Sequence, residues 1–142
     1  MEKKILFLMI IGVLFSCNKN DDNDAENELV GNWKLIQMTG SIPNSETYGT
    51  EMEWQETYVL NANRTFLKSR DRDGITTEVS GTYNFINNSN EPIIELNFDT
   101  ESEIIGSCIS NMKEIMNLQS ETIFLSSWNA CDGPGLKYEK IN

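Results

Sequence analysis

From Leu29 onward, the chain consists of short segments in which apolar and polar residues alternate, and this pattern restricts the fold more than any other feature. In "EPIIELNF", for example, Ile94, Leu96 and Phe98 fall on one face, while polar residues fall on the other. Successive side chains of a strand point to opposite faces, so this period predicts half-buried strands. No stretch shows a convincing helical period, although Ser102–Asn111 has room for one short helical turn. An all-β domain is expected.

The alternating segments number about eight, and they are separated by clusters of turn-forming residues such as "DRDG", "NNSNEP" and "NACDGPG". The predicted strands cover residues 30–39, 56–60, 65–70, 75–85, 91–98, 113–119, 121–128 and 136–141. A tight turn should join the second strand to the third, with Asn63 in the left-handed conformation that such turns require. Regular spacing of this kind predicts an antiparallel meander. Closing the meander into a barrel would remove its exposed edges.

The start of the first strand resembles a known family. In "LVGNWKLIQ", residues Gly31 to Trp33 resemble the Gly-x-Trp opening of the lipocalins, and "TYVLNANRTF" and "GTYNF" look like later strands of short lipocalin-like domains. The resemblance implies a small eight-stranded, calycin-type barrel, shallower than that of longer lipocalins. It also implies that Trp33 closes one end, with Gly31 letting the chain turn beneath the ring. A basic residue of the last strand, Lys137 or Lys140, would pack across that ring.

The N-terminus is typical of an export signal. Lys3 and Lys4 precede an apolar run of about 11 residues, too short for a permanent membrane span of about 20. The next four residues, Leu-Phe-Ser-Cys at 14–17, resemble the lipobox of bacterial lipoproteins, which implies that Cys17 is lipidated and becomes the new N-terminus. The alternatives are a secretory signal cut elsewhere and a retained N-terminal anchor. The expected organisation is a signal peptide at 1–16, a tether at 17–28 and a barrel domain at 29–142.

The segment after Cys17, "NKNDDNDAENE", lacks large apolar residues and should be a disordered, acidic tether. It is either a soluble spacer or an export tag of the kind that sends some lipoproteins to the cell surface. Without residues 1–16 the chain keeps 9 basic and 21 acidic residues, a net charge of about −12. Such a charge repels nucleic acid and anionic headgroups, so neither is expected as a partner. The expected location is the cell envelope, with the protein anchored to the outer membrane.

Two cysteines remain, Cys108 and Cys131, in a compartment that should be oxidising. A disulfide is the default expectation, with free thiols as the alternative. A zinc site is disfavoured because the chain has no histidine, and two thiolates do not complete a tetrahedral shell.

The absence of histidine also excludes histidine-dependent triads. Carboxylate pairs such as Glu51 with Glu53, or Glu101 with Glu103, are frequent in so acidic a chain and are interpreted as solvated faces. The acids of "DRDG", at residues 71–74, are interpreted as part of a hairpin turn because a calcium loop needs further ligands. No enzymatic activity, metal or cofactor is expected.

Several large side chains fall on inward faces of the predicted strands. They either fill the core, as in small barrels, or line a pocket for a small apolar ligand. The candidate lining residues are Tyr58, Phe66, Tyr83, Phe85, Phe98 and Met116. Trp54 and Trp128 are predicted near strand ends or loops, where an exposed aromatic ring would mark a binding surface.

The sequence therefore predicts a lipid-anchored envelope protein that binds rather than catalyses. The expected function is to bind a small hydrophobic molecule in the barrel, as a carrier or sensor; the alternative is an interaction or structural module with a filled barrel and no ligand cavity. An internal cavity of about 300 Å3 or more would favour the carrier.

Overall fold

The structure is a computed structural model that describes residues 27–88, 91–109 and 112–141. The predicted signal peptide, the lipidation site Cys17 and nearly all of the tether lie outside the described residues. Within them, no helix is both long and apolar enough to cross a bilayer.

Eight strands make up the domain. They are β1 (Gly31–Thr39), β2 (Gln55–Leu60), β3 (Thr65–Arg72), β4 (Ile75–Ile86), β5 (Ile93–Phe98), β6 (Lys113–Ser120), β7 (Ile123–Ser126) and β8 (Gly135–Ile141). Two 3-10 turns, Gly49–Glu51 and Ser127–Cys131, lie in the loops before β2 and β8.

Each strand pairs antiparallel with the next, and β8 pairs back with β1, so the sheet is a closed barrel. The predicted all-β, eight-stranded barrel is thus confirmed. The alternation of apolar and polar residues corresponds to the inside and outside of the barrel. In β2, for example, the inward-facing Glu56, Tyr58 and Leu60 are buried, and the residues between them are half-exposed. A closed barrel leaves no unpaired edge strand.

The barrel has two ends. The end that we call the tryptophan end carries the start of β1 and the β2–β3, β4–β5 and β6–β7 turns. The opposite end, the disulfide end, carries the long β1–β2 and β5–β6 loops, the β3–β4 turn and the β7–β8 loop. The first described residue, Asn27, lies at the tryptophan end, just before β1.

At the tryptophan end, Trp33 is completely buried and its Nε1 donates a hydrogen bond to the carbonyl of Leu29 at 2.9 Å. The ring against it belongs to Phe124, with centroids 4.5 Å apart. Lys140 is the residue opposite Trp33 in register, and its side chain lies over Gly31, where a Cβ would be 2.9 Å from Lys140 Cε. Gly31 also has φ +142°, a conformation that L side chains rarely adopt.

Two local predictions were wrong, those of the left-handed residue in the β2–β3 turn and of the end of the seventh strand. In the β2–β3 turn the left-handed residue is Arg64, with φ 64°, because Asn63 Oδ1 instead accepts hydrogen bonds from the backbone and hydroxyl of Thr65. The described residues 102–109 contain no helix but one hydrogen-bonded turn, in which Ile105 N–H donates to the carbonyl of Ser102 at 3.2 Å. The seventh strand stops at Ser126 because its hydroxyl caps the following 3-10 turn at Trp128 N.

Candidate functional site

The large inward-facing side chains fill the barrel. Of the six candidate lining residues, five are at most 5% exposed and Phe85 is half-buried against the core. Their rings contact one another: Phe66 meets Phe98 edge-on at 4.9 Å, and Tyr58 meets Tyr138 edge-on at 5.2 Å. Of the two interpretations of these residues, filling of the core therefore agrees with their packing. The three concavities described below are lined by other residues.

Four ionisable side chains lie among these rings, each at most 6% exposed: Glu56, Lys68, Arg70 and Glu114. Lys68 Nζ is 2.6 Å from Glu114 Oε1 and 3.3 Å from Glu56 Oε1. Arg70 Nε is 2.5 Å from Glu56 Oε2. Two cations thus face two carboxylates in a buried network with a formal charge of zero. We call these four residues the ionic cluster.

Two buried tyrosines complete the network. The hydroxyl of Tyr58 donates to Glu114 Oε2 at 2.6 Å, and that of Tyr138 donates to Glu56 Oε1 at 2.5 Å. Burial raises the pKa of Tyr58 well above its usual value, and the charge of Glu114 adds to the shift. Burial raises the pKa of Tyr138 likewise, with the charge of Glu56 as the second cause. Both phenols therefore stay protonated in the folded protein at alkaline pH.

This arrangement predicts a loss of stability in alkali. Above the usual tyrosine pKa of 10.0, the unfolded chain releases two protons that the folded protein keeps on Tyr58 and Tyr138. The contribution is present below pH 10, and the free energy of unfolding should fall above it by up to about 3 kcal/mol per pH unit. Urea titrations at about pH 9 and about pH 11 measure this. The double variant Tyr58→Phe/Tyr138→Phe should show a flatter dependence, whereas an identical slope in the two proteins would contradict the assignment.

The ionic cluster was not predicted from the sequence. The signal is present, because in "ETYVL" Glu56 shares the inward phase of Tyr58, and in "TFLKSR" Lys68 and Arg70 share that of Phe66. A charged residue in the buried phase of a strand needs a buried partner, since an unpaired charge is costly to bury. Counting opposite charges on inward phases would have found the cluster.

The β5–β6 loop covers the cluster at the disulfide end. The carbonyl of Ile104 accepts hydrogen bonds from Lys68 Nζ at 2.6 Å and from an Arg70 terminal nitrogen at 3.1 Å. The backbone N–H of Gly106 donates to Glu114 Oε1 at 2.6 Å. The side chain of Ile104 is itself buried. The loop thus supplies both an acceptor and a donor to the charged wall.

The predicted disulfide is confirmed: Cys108 and Cys131 are bonded, with Cα atoms 5.6 Å apart. The bond links the β5–β6 loop to the β7–β8 loop. Trp128 lies between these loops, so close to Gly106 and Gly133 that a Cβ on either would be within 2.5 Å of the indole. Only glycine fits at positions 106 and 133, because the indole ring occupies the space that a side chain would need.

The expectation of exposed tryptophans at this end is wrong for Trp54 and only partly met by Trp128. Trp54 is 5% exposed and stacks on Arg70, whose Cζ lies 4.2 Å from the ring centroid. Trp128 is half-buried and packs against the core. Both lie in loops next to strands, but Trp54 packs against Arg70 and Arg72 of β3, and Trp128 packs against Gly106 and Gly133.

Reduction of the disulfide should destabilise the domain. The two cysteines are 23 positions apart in the sequence. For a loop of this length, the chain-entropy model gives a stabilisation of roughly 3 kcal/mol. A melting temperature lower by roughly 10 °C is expected after reduction. Differential scanning calorimetry with and without a dithiol measures the shift, and alkylation should require the reductant. Rapid labelling of both thiols in native, unreduced protein would contradict the bond.

The largest of the three concavities, about 720 Å3, lies on the outer wall along β7. It extends over the outward positions of β1, β6 and β8 and reaches the β4–β5 loop at Pro92. Four amide side chains and a few aliphatic ones line it: Gln37, Asn117, Gln119, Asn129, Ile123 and Leu125. We call this surface the outer groove. Smaller concavities of about 230 and 440 Å3 lie at the disulfide end.

The described residues contain no group of three potential metal ligands close enough to hold an ion. The carboxylate pairs interpreted as solvated faces are indeed exposed, and Glu53 pairs with Arg72. Asp73 and Gly74 form the predicted turn between β3 and β4, both with positive φ.

The two carboxylates of the ionic cluster are held by cations and phenols beneath a loop. Such an arrangement suits a structural role better than proton transfer to a substrate.

The chain matches no protein-family model, no curated protein and no solved structure.

Proposed function

We propose that this protein is a lipid-anchored, non-catalytic interaction module of the cell envelope, which binds a polypeptide partner in its outer groove. The observation that carries the proposal is the filled interior: packed aromatic rings and the ionic cluster occupy the space in which a carrier would hold its ligand. A binding function then depends on the outside of the barrel. The prediction of an apolar ligand inside the barrel is thereby the less favoured of the two.

The chemistry of the outer groove suits a polypeptide. Side-chain amides such as Gln37 and Asn117 each offer a donor and an acceptor, as a peptide main chain does. Ile123 and Leu125 provide apolar contacts between these polar groups. Lys137 and Glu91 add one charge of each sign, so the groove lacks the strong negative field expected from the composition of the whole chain. The volume of about 720 Å3 is within the usual range for a binding site.

The experiment is site-specific photocrosslinking in the native host. A benzoylphenylalanine at position 125, in the groove, should give a discrete adduct with one protein. The matched control is position 67, because Leu67 also faces outward, on β3, away from the groove. No adduct at position 125, or the same adducts at both positions, would contradict the proposal.

The anchoring half of the proposal rests on the lipobox-like residues 14–17. Cys17→Ser should abolish acylation and release the protein from the membrane fraction, because several acyl chains together hold a protein to a bilayer almost permanently. Metabolic labelling with a fatty-acid analogue followed by fractionation checks this. Incorporation of the label that persists in the Cys17→Ser variant would contradict lipidation at Cys17.

A further inference from the structure

The β5–β6 loop contacts the ionic cluster through main-chain atoms rather than through charged side chains. Two cationic donors, on Lys68 and Arg70, converge on the single carbonyl oxygen of Ile104. One carboxylate oxygen, of Glu114, receives the N–H of Gly106 two residues later. These charge-assisted hydrogen bonds are ones that a bound peptide segment could also make, with cations on its C=O and a carboxylate on its N–H. The Ile104 side chain is buried as well.

The charges define what this end of the barrel accepts. With two cations and two carboxylates, the ionic cluster is neutral as a whole, and its phenols and carboxylates already satisfy one another. A charged ligand would leave one buried charge unbalanced, whereas a neutral amide supplies one acceptor and one donor and adds no charge. The remaining bonding capacity therefore matches an uncharged main-chain segment.

The loop is held in place by a bond at the surface. Both Cys108 and Cys131 are exposed, although Ile104 and Gly106 are buried. The disulfide fixes the loop four residues after Ile104 and thereby keeps its main chain at a high effective concentration over the cluster. Without that bond, an external segment of the same chemistry could compete.

We propose that the disulfide end of the barrel is a binding site for a neutral, aliphatic peptide segment, and that residues 104–106 of the chain's own β5–β6 loop occupy it while the disulfide is intact. The site is separate from the outer groove and does not depend on it. Its ligand class is an uncharged peptide with an Ile-like side chain, a carbonyl acceptor and an N–H donor two residues later.

The test compares the oxidised full chain with the Cys108→Ser/Cys131→Ser variant. The probe is acetyl-Ile-Ile-Gly-amide, which copies residues 104–106, and the control probe carries N-methylglycine in place of glycine and so lacks the N–H. The readout is acylation of Lys68, which is 1% exposed, followed by mass spectrometry. Hydrogen exchange of β1 and β8 amides reports whether the barrel is intact.

In the oxidised protein, Lys68 should be unreactive and the peptide should have no effect. In the double variant, Lys68 should react at least about tenfold faster, the peptide should restore protection, and the N-methyl peptide should not. Unchanged protection of Lys68 in the variant, failure of the peptide to protect it, or equal protection by both peptides would each overturn the proposal. Loss of exchange protection in β1 and β8 of the variant would also overturn it, because the loop would then be a fixed part of the fold.

Discussion

Glu114→Ala should lower the free energy of unfolding by roughly 3 to 5 kcal/mol, because it removes one partner of a buried ion pair. Lys68 would lose its 2.6 Å contact, Tyr58 would lose the acceptor of its hydroxyl, and Gly106 N–H would be left without a partner. A small domain has about 5 to 15 kcal/mol in total, so much of the reserve would be lost. Urea titration followed by circular dichroism measures the change.

The neighbouring strand offers a matched control. Glu95 on β5 pairs with Lys113 at 3.0 Å, but both side chains are partly exposed, at 23% and 32%. The hydrogen bond from Lys113 is the main cause that lowers the pKa of Glu95. Pairs of this kind contribute about 0.2 to 1 kcal/mol, so Glu95→Ala should have a small effect. Similar losses in the free energy of unfolding for the two variants would contradict the burial of the ionic cluster.

Trp33→Ala should also cost roughly 3 to 5 kcal/mol, because the ring is completely buried and its removal leaves a cavity beside Phe124. The hydrogen bond from Nε1 to the carbonyl of Leu29 is lost as well. The denaturant midpoint should fall sharply, or part of the population should unfold. The same urea titration measures it, and this is the direct test of the role that the lipocalin resemblance gives to Trp33.

The control for Trp33 is an exposed aromatic residue. Tyr48, in the β1–β2 loop, is 55% exposed, and Tyr48→Ala should change stability by less than about 1 kcal/mol. Trp54 does not serve this purpose, because it is buried against Arg70. Equal and small effects at positions 33 and 48 would mean that Trp33 does not hold the barrel end together.

The strands could be predicted because alternation is a local property. In β5, for instance, Ile94, Leu96 and Phe98 take the buried positions that their spacing indicates. The disulfide followed from the cysteine count. The β2–β3 turn was placed correctly, but its left-handed residue was not, since the competition between backbone strain and the hydrogen bonds of Asn63 is decided by geometry within a single turn.

The ionic cluster and its cover could not be read from local patterns. Lys68 and Glu114 are 46 residues apart, and Arg70 and Ile104 are 34 apart. Which inward charges meet depends on strand register, and the covering loop has no alternating pattern of its own. The burial of Trp54 has the same origin, because a position just before a strand does not reveal that Arg70 of β3 packs against the ring. The lipocalin resemblance predicts a role for Trp33 and none for the charged side chains of the ionic cluster.

The proposed function requires that the interior of the barrel is filled and that binding takes place outside it. Titration of the oxidised protein with N-phenyl-1-naphthylamine, a neutral apolar fluorophore, distinguishes a filled interior from an open one. Excitation of tryptophan reports energy transfer from the core. We expect no saturable binding and no quenching of Trp33, because Phe124 packs on its ring and Tyr58 and Tyr138 pack on Phe124. Saturable one-to-one binding with energy transfer, lost on substituting Tyr58 or Phe66 by a larger tryptophan, would place the ligand inside the barrel and disprove a filled interior.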